Sequence, residues 1–201
     1  MHESLATLAL AGGLAWASGL RLYAVAFLLG WAGRMGWLPL PGQLGLLQHD
    51  WVLGASGLML VGEFIADKIP AFDSLWDALH TFVRGPGGAA MAYLAVGEQA
   101  SPAAHAAFAL MGGSIATATH LTKAGTRVLI NHSPEPFSNW AASATEDVAS
   151  VGLVWLAWQH PVLLVTLLLL FIGVMIWALP KLWGVVRGLH RRLLRSSPTK
   201  L

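Results

Sequence analysis

The chain has 201 residues, of which 56% are hydrophobic and only 11% are charged. Soluble domains carry roughly 25% charged residues, so this composition excludes an ordinary soluble protein. No cysteine is present, which excludes disulfides, thiolate metal sites and a cysteine nucleophile. We therefore predict an all-α integral membrane protein, a polytopic helical bundle with four to six spans.

The first half of the sequence predicts one long helix followed by shorter, interrupted ones. Residues 4–33 are apolar except for Arg21 near the middle, and this stretch is long enough to cross about 30 Å of hydrocarbon. Residues 37–42 predict a loop at the membrane interface. Residues 51–62 are apolar but too short to cross alone, and Pro70 ends the helix that contains them. This pattern predicts broken or re-entrant segments.

Two later stretches are uncharged and long enough to span a bilayer. Residues 148–180 contain no Asp, Glu, Lys or Arg, although His160-Pro161 interrupts them. Residues 99–122 contain glycine, alanine and serine, which let helix backbones approach closely. Residues 18–21 and 124–127 each place a glycine two positions before an arginine, so an inverted repeat is an open alternative for the architecture.

Basic residues concentrate at the C-terminus. Residues 181–201 hold six Lys or Arg and no acid, whereas residues 1–180 hold six basic and ten acidic residues. Apolar side chains interleave with the charges of the tail, which favours an interfacial amphipathic helix over a nucleic-acid-binding arm. Because basic residues beside a span remain in the cytoplasm, we expect a transmembrane domain over residues 1–180 and a basic cytoplasmic tail over residues 181–201.

The densest polar segment lies over residues 62–84. Glu63 and Asp67 are one helical turn apart, so their carboxylates can share a cation or a proton. Both end an apolar run, and an ionisable residue within a membrane is a functional-site hypothesis. One helical stripe follows them, made of Asp73, Asp77, His80 and Arg84. That stripe either extends an ion pathway or faces water.

Two further charged groups lie in the second half. Glu146 and Asp147 stand before the long uncharged run, either as acids of the same ion site or at a helix N-terminus that Ser143 caps. The other group is a basic helix face formed by His120, Lys123 and Arg127. This face can balance the acids or hold an anion.

From these groups we predict an ion-binding site with counter-charges. The predicted ligands are the carboxylates of Glu63, Asp67, Asp73, Asp77, Glu146 and Asp147. The predicted counter-charges or anion-binding groups are Arg21, Lys68, Arg84, Lys123 and Arg127. A metal ion would be held by Glu63, Asp67 and His80. No phosphate-binding glycine loop, GxSxG elbow or HExxH motif occurs, so we expect neither an enzyme nor a cofactor.

Several motifs together resemble one family of membrane proteins. They are Gly19-Leu20-Arg21-Leu22-Tyr23, Ala66-Asp67-Lys68-Ile69-Pro70, Asp73 with Trp76-Asp77, Thr126-Arg127 with Asn131, Ser133-Pro134-Glu135-Pro136, Ser138-Asn139 and Glu146-Asp147. This set resembles the bacterial membrane family catalogued as domain of unknown function 4126, over most of the chain before the basic tail. The resemblance implies a small integral membrane protein and implies no activity. We expect the protein to pass several times through the bacterial inner membrane.

Glu63 with Asp67-Lys68 is also similar to the E-x-G-D-K signature of small cation exchangers, which are inverted repeats. Here the acids are spaced by four positions, and Ala66 stands where that signature has glycine. The likeness concerns the chemistry of the acid pair.

Together these features predict a small membrane transporter or channel for a cation, for instance a divalent metal. The expected partners are the lipid bilayer, a small ion or solute and a second copy of the chain in a homo-oligomer, but no nucleic acid. Two alternatives stay open. One is a non-transporting scaffold in which the charges form structural ion pairs, and the other is a transporter of organic or lipid-like anions that uses Arg21, Lys123 and Arg127.

Overall fold

The computed structural model describes residues 2–131 and 137–195, except for the side chains of residues 2, 3, 70, 71, 129, 131 and 179–195. Part of the motif-rich segment over residues 131–139 and the side chains of the basic tail lie outside the described residues. Within the described residues, every regular element is a helix. The predicted all-α class is therefore confirmed.

Along the described part of the chain, six α-helices and one short 3-10 helix follow one another. They are α1 (His2–Arg34), the 3-10 helix (Gly42–Gln48), α2 (Asp50–Ala66), α3 (Pro70–Ala95), α4 (Pro102–Asn131), α5 (Phe137–Gln159) and α6 (Pro161–Arg195). The chain forms two compact units, residues 1–165 and 166–201. The first holds α1 to α5 and the start of α6, and the second holds the rest of α6. Helix α6 ends at Arg195. The domain boundary after residue 180 stays a prediction.

Proline and glycine mark several helix ends. Gly36 follows α1 with a φ of 70°, a left-handed conformation that glycine adopts without a Cβ clash. Pro70 begins α3, where its missing N–H removes no helical hydrogen bond. His160 separates α5 from α6, which begins at Pro161. The interruption predicted at His160-Pro161 is therefore confirmed.

The first unit is built around α1, which packs against α2, α3, α4 and α5. The most extensive interface joins α3 to α4 and is made of small residues. A methyl group on Gly112 would lie 2.7 Å from the backbone oxygen of Gly88 and 2.3 Å from the Cβ of Ala92. The two backbones thus approach as closely as glycine allows.

Over residues 72–84 of α3, the charged stripe faces inward and large apolar side chains face outward. The buried residues are the predicted stripe Asp73, Asp77, His80 and Arg84. The exposed residues include Phe72, Leu75, Leu79 and Phe82. The alternative in which the stripe faces water is therefore wrong. An exposed apolar face around a charged interior suits lipid surroundings, since water would penalise it.

Two helices are long and apolar enough to cross a membrane, α1 over Ser4–Arg34 and α6 over Pro161–Ala178. The 3-10 helix and α2 would form a third span if taken together, bent by 72° as in a broken or re-entrant segment. The described residues thus give two or three candidate spans by length and composition, fewer than the four to six predicted. The difference arises because polar stripes lower the mean hydropathy of α3, α4 and α5.

We expect Gly112→Ala to destabilise the protein by about 1–3 kcal/mol, because the new methyl group meets backbone and side-chain atoms of α3 at short range. Gly125→Ala on the same helix is the matched control, since nothing lies within 4 Å of its added methyl group. Thermal unfolding in detergent would compare the two variants with the wild type. Equal midpoints for both variants would contradict close packing of α3 on α4.

Candidate functional site

Most of the charged residues predicted for the site come together inside the first unit. Nine of them form a connected set, called the charged cluster below: Arg21, Glu63, Asp67, Asp73, Asp77, Arg84, Lys123, Arg127 and Glu146. Eight of the nine are buried, and the side chain of Glu146 is 12% exposed. Lys68 and Asp147 lie at the edge of the cluster. The predicted acids and counter-charges therefore share one location.

The cluster surrounds a break in α1. Arg21 has a φ of −144° and a ψ of 70°, which are not helical values. Such a break frees backbone carbonyls from their helical hydrogen bonds. Arg84 donates to the carbonyl oxygens of Gly19 and Leu20, and Lys123 Nζ lies 3.4 Å from that of Leu20. Cations from α3 and α4 thus satisfy the broken backbone of α1.

The guanidinium of Arg21 joins several acids at once. It pairs directly with Asp67, and its Nε lies 2.9 Å from Asp147 Oδ1. Its terminal nitrogens lie 3.4 Å from Glu146 Oε2 and 3.7 Å from Glu63 Oε1. A planar guanidinium with five N–H donors suits such many-sided contact. Arg21 therefore links the acids of α2, of the turn after α2 and of α5.

Glu63, near the end of α2, is fully buried and meets the cations of α3 and α4. Its Oε1 pairs directly with Arg84 and lies 3.8 Å from Lys123 Nζ. Asp77 Oδ1 lies 3.5 Å from the same ammonium group and 3.9 Å from Arg84 Nη2. A buried ion without such partners would lose its hydration with no compensation. The helices must therefore stay close enough to keep these pairs.

Arg127 on α4 binds Glu146 through two contacts. Its Nε lies 2.8 Å from Oε1 and its Nη2 lies 3.1 Å from Oε2. Its Nη1 donates to the backbone oxygen of Asn139 at 2.9 Å and also to the side-chain oxygen of that residue. Asp67 Oδ2 is 3.6 Å away, and Asp73 interacts with Arg127 electrostatically. Arg127, one residue of the basic face predicted on α4, therefore meets acids from three other segments.

Two neutral residues of α5 belong to the site and were missed by the sequence analysis. Ser143 Oγ donates to Asp67 Oδ2 at 3.1 Å and accepts hydrogen bonds from Arg21 and Lys68. Asn139 Nδ2 donates to the backbone oxygen of Asp67 at 2.9 Å. The sequence does contain a signal for them. Asn139, Ser143, Glu146 and Ser150 follow one another at offsets of four, three and four residues. The stripe on α3 has the same spacing, over Asp73, Asp77, His80 and Arg84.

The alternative in which Ser143 caps a helix in front of Glu146 and Asp147 is wrong. Helix α5 begins at Phe137, so these residues lie well inside it. Glu146 then faces the cations of the charged cluster. The side chain of Asp147 is 46% exposed, which makes it the outer edge of the cluster.

His80 bonds to protein groups on both ring nitrogens. Its Nδ1 lies 2.7 Å from the backbone oxygen of Trp76, and its Nε2 lies 2.9 Å from the hydroxyl of Tyr23. Among the described residues, no group of three or more His, Asp or Glu side chains converges as metal ligands would. A metal site at Glu63, Asp67 and His80 is therefore not preformed, because the two carboxylates face arginines and the imidazole is already engaged.

Several buried acceptors in the charged cluster have no hydrogen-bond donor among the described residues. These atoms are Glu63 Oε2, Asp67 Oδ1 and both carboxylate oxygens of Asp77. His120 Nε2 lies 3.0 Å from the backbone oxygen of Asp77, while its Nδ1 has no partner in the same residues. Native proteins leave few buried polar atoms unsatisfied, so these atoms indicate a place for a proton, a water molecule or a small ion.

The described charges of the cluster do not balance. Five carboxylates meet four cations, and adding Lys68 and Asp147 at the edge keeps one carboxylate in excess. An uncompensated buried carboxylate is costly, so one further positive charge would stabilise the cluster. The arrangement is thus chemically suited to take up a proton or a cation.

We expect Arg84→Met to destabilise the protein by about 3–5 kcal/mol, because it leaves the buried carboxylate of Glu63 without its direct partner. Adding Glu63→Met should recover part of this loss, since removing both charges of a buried pair costs less than removing one. Thermal unfolding of the wild type, both single variants and the double variant would measure the coupling.

The exposed pair of Arg34 and Asp50 provides a matched control for that cycle. There, Arg34→Met should change stability by about 1 kcal/mol or less. A double variant of Glu63 and Arg84 whose loss equals the sum of the two single losses would contradict the expected coupling.

Comparison with known proteins identifies the family to which the chain belongs. The chain matches the family described as Domain of unknown function (DUF4126) over residues 8–181, a range that contains every residue of the charged cluster. No curated protein and no solved structure matches the chain. The family description states no activity. The resemblance seen in the motifs is confirmed, and the chain belongs to the DUF4126 family.

Proposed function

We propose that the protein is a small membrane transporter or channel for a cation, with the charged cluster as its binding site. The observation that supports this most directly is the one carboxylate in excess among the described charges of the cluster. A single proton or monovalent cation would neutralise it. The oxygens of Glu63, Asp67 and Asp77 that lack hydrogen-bond donors would be the ligands.

A monovalent species fits the geometry better than a divalent metal. A divalent ion requires several oxygens that converge, and it would have to displace arginines from the acids they contact. Glu63 and Asp67 are each in direct contact with an arginine, Arg84 and Arg21 respectively. A proton needs only one oxygen and no displacement.

The ion would pass through the cluster as the buried cations exchange one carboxylate partner for another. Arg21 lies within 4 Å of four acids, and Lys123 lies within 4 Å of three. When one carboxylate binds the ion, its attraction for the neighbouring cation weakens. That cation can then move toward another acid already in reach. The break in α1 resembles the interrupted helices that surround ion sites in transporters.

We further propose that α3, α4 and α5 also cross the membrane, which gives five or six spans, within the predicted range of four to six. Their outward faces support this, because large apolar side chains are exposed on each: Phe82 on α3, Leu110 on α4, and Val148 and Trp155 on α5. The basic residues of the tail support a cytoplasmic C-terminus in a plasma membrane, the inner membrane of a bacterium.

A scaffold without transport activity is the second candidate. One observation favours it. Each of the four buried cations of the cluster has a carboxylate within 4 Å, and together these pairs involve all five helices from α1 through α5 and the turn after α2. The anion-transport alternative is less well supported, since an anion would have to compete with carboxylates for Arg21, Lys123 and Arg127.

We expect Glu63→Gln and Asp77→Asn to lower cation flux into proteoliposomes at least tenfold, which corresponds to about 1.4 kcal/mol in the barrier. A pH-sensitive dye and a potassium-sensitive dye inside the vesicles would report flux under imposed gradients. Glu98→Gln is the control, because Glu98 is exposed and lies outside the charged cluster.

The outcomes separate the candidate functions. Wild-type protein that moves neither protons nor potassium, while Glu63→Gln lowers the unfolding temperature, would support the scaffold and refute cation transport. Flux of organic anions that is lost in Arg127→Gln but kept in Glu63→Gln would support the anion transporter instead.

A further inference from the structure

An apolar cavity lies between the second half of α1 and the middle of α5. Its volume is about 270 Å³, and its walls include Val25, Leu29, Trp31, Trp37, Val151 and Val154. Ser150 also lines it, but the hydroxyl of Ser150 donates to the backbone oxygen of Glu146 at 2.8 Å. That hydroxyl hydrogen is therefore not available to a bound molecule. The wall suits a hydrocarbon chain and offers little to a polar ligand.

The outer end of this cavity carries the marks of a membrane interface. Trp31 and Trp37 are both exposed there, and tryptophan is enriched at the level of lipid headgroups. Arg34 follows Trp31 by three positions on α1, so it lies on the same side of the helix. Its side chain is 46% exposed and contacts Asp50 through one nitrogen, Nη1. The remaining guanidinium donors can meet a phosphate group.

The inner end of the cavity lies beside the charged cluster. Val25 follows Arg21 by one helical turn, and Val151 follows Asp147 by one turn. Nine residues separate Val25 from Arg34, a rise of about 14 Å along a helix. That distance is close to half of the hydrocarbon thickness of about 30 Å. The cavity thus has the depth that an acyl chain reaches within one leaflet.

We propose that this cavity binds one acyl chain of a membrane phospholipid, whose phosphate lies near Arg34. The occupant is a lipid because a candidate membrane span lines the cavity and exposed tryptophans lie at its outer end. In addition, the partly exposed cation Arg34 follows the lining residue Trp31 by one turn of α1. The end of the chain then lies next to Asp147, the partly exposed acid of the cluster edge. A bound lipid shields this edge from water. The proposal does not depend on cation transport.

Tryptophan fluorescence provides the test, since Trp31 and Trp37 line the cavity. The purified full-length protein in detergent is titrated with phosphatidylglycerol that carries brominated acyl chains, which quench nearby indoles. We expect saturable quenching at a low mole fraction of lipid, with most of the saturable part lost in Trp31→Phe/Trp37→Phe.

Ala24→Leu and Ala32→Leu fill the cavity from two positions. Each should raise the lipid fraction for half-maximal quenching about fiftyfold, because three methylene-sized groups of the acyl chain are excluded. Ala90→Leu is the matched control, since Ala90 lines a different apolar groove between α1, α2 and α3. It should leave the titration unchanged.

Quenching that rises linearly with lipid fraction and is equal in all variants would overturn the proposal, because it reflects only the lipid around any membrane protein. A second copy of the chain in the cavity would also overturn it. In that case light scattering would show a dimer that Ala32→Leu dissociates and that added lipid leaves intact. Size-exclusion profiles identify any variant that is unfolded, and the two filling variants give independent readings.

Discussion

The four buried cations of the charged cluster impose the main constraint on how the described helices pack. An arginine or lysine removed from water loses hydration free energy that only close carboxylates offset. The cations come from α1, α3 and α4, whereas the acids come from α2, the turn that follows it, α3 and α5. The closest carboxylate to each of these cations lies on another segment of the chain. Charge pairing therefore fixes where these helices lie against one another, which apolar contact alone does poorly in lipid.

The interruption of α1 belongs to the same constraint. A continuous helix would keep the backbone oxygens of Gly19 and Leu20 engaged in its own hydrogen bonds. The non-helical backbone at Arg21 releases them, and Arg84 uses both. Gly19 also packs against Thr119 so closely that a Cβ would lie 2.5 Å from the Cβ of that residue. Two contacts therefore stabilise the break in α1: its close packing on α4 and the hydrogen bonds from Arg84 to the released carbonyl oxygens.

Helical periodicity explains which parts of the site could be predicted. Offsets of three and four residues place side chains on one face regardless of what surrounds the helix, so the stripe from Asp73 to Arg84 was correctly located. The partners of each charge were not predictable, because they depend on how separate helices meet. Ser143 and Asn139 are neutral, so the pattern of ionisable residues that marks the site in the sequence does not include them. His80 bonds to Trp76, one helical turn before it, and to Tyr23 of α1. The contact with Tyr23 depends on how α1 and α3 meet, so no sequence spacing reveals it.

The long sequence separation within the charged cluster has a consequence for biogenesis. Arg21 leaves the ribosome 122 residues ahead of Ser143, and α5 with Glu146 is made later still than α2 with Glu63. A nascent α1 thus carries an unpaired arginine, which costs about 2.5–3.5 kcal/mol at mid-membrane by insertion scales. The apolar remainder of the helix can offset this cost during insertion. Arg21 gains its full set of acids only when α5 arrives, so completion of the bundle is a late and cooperative step of synthesis.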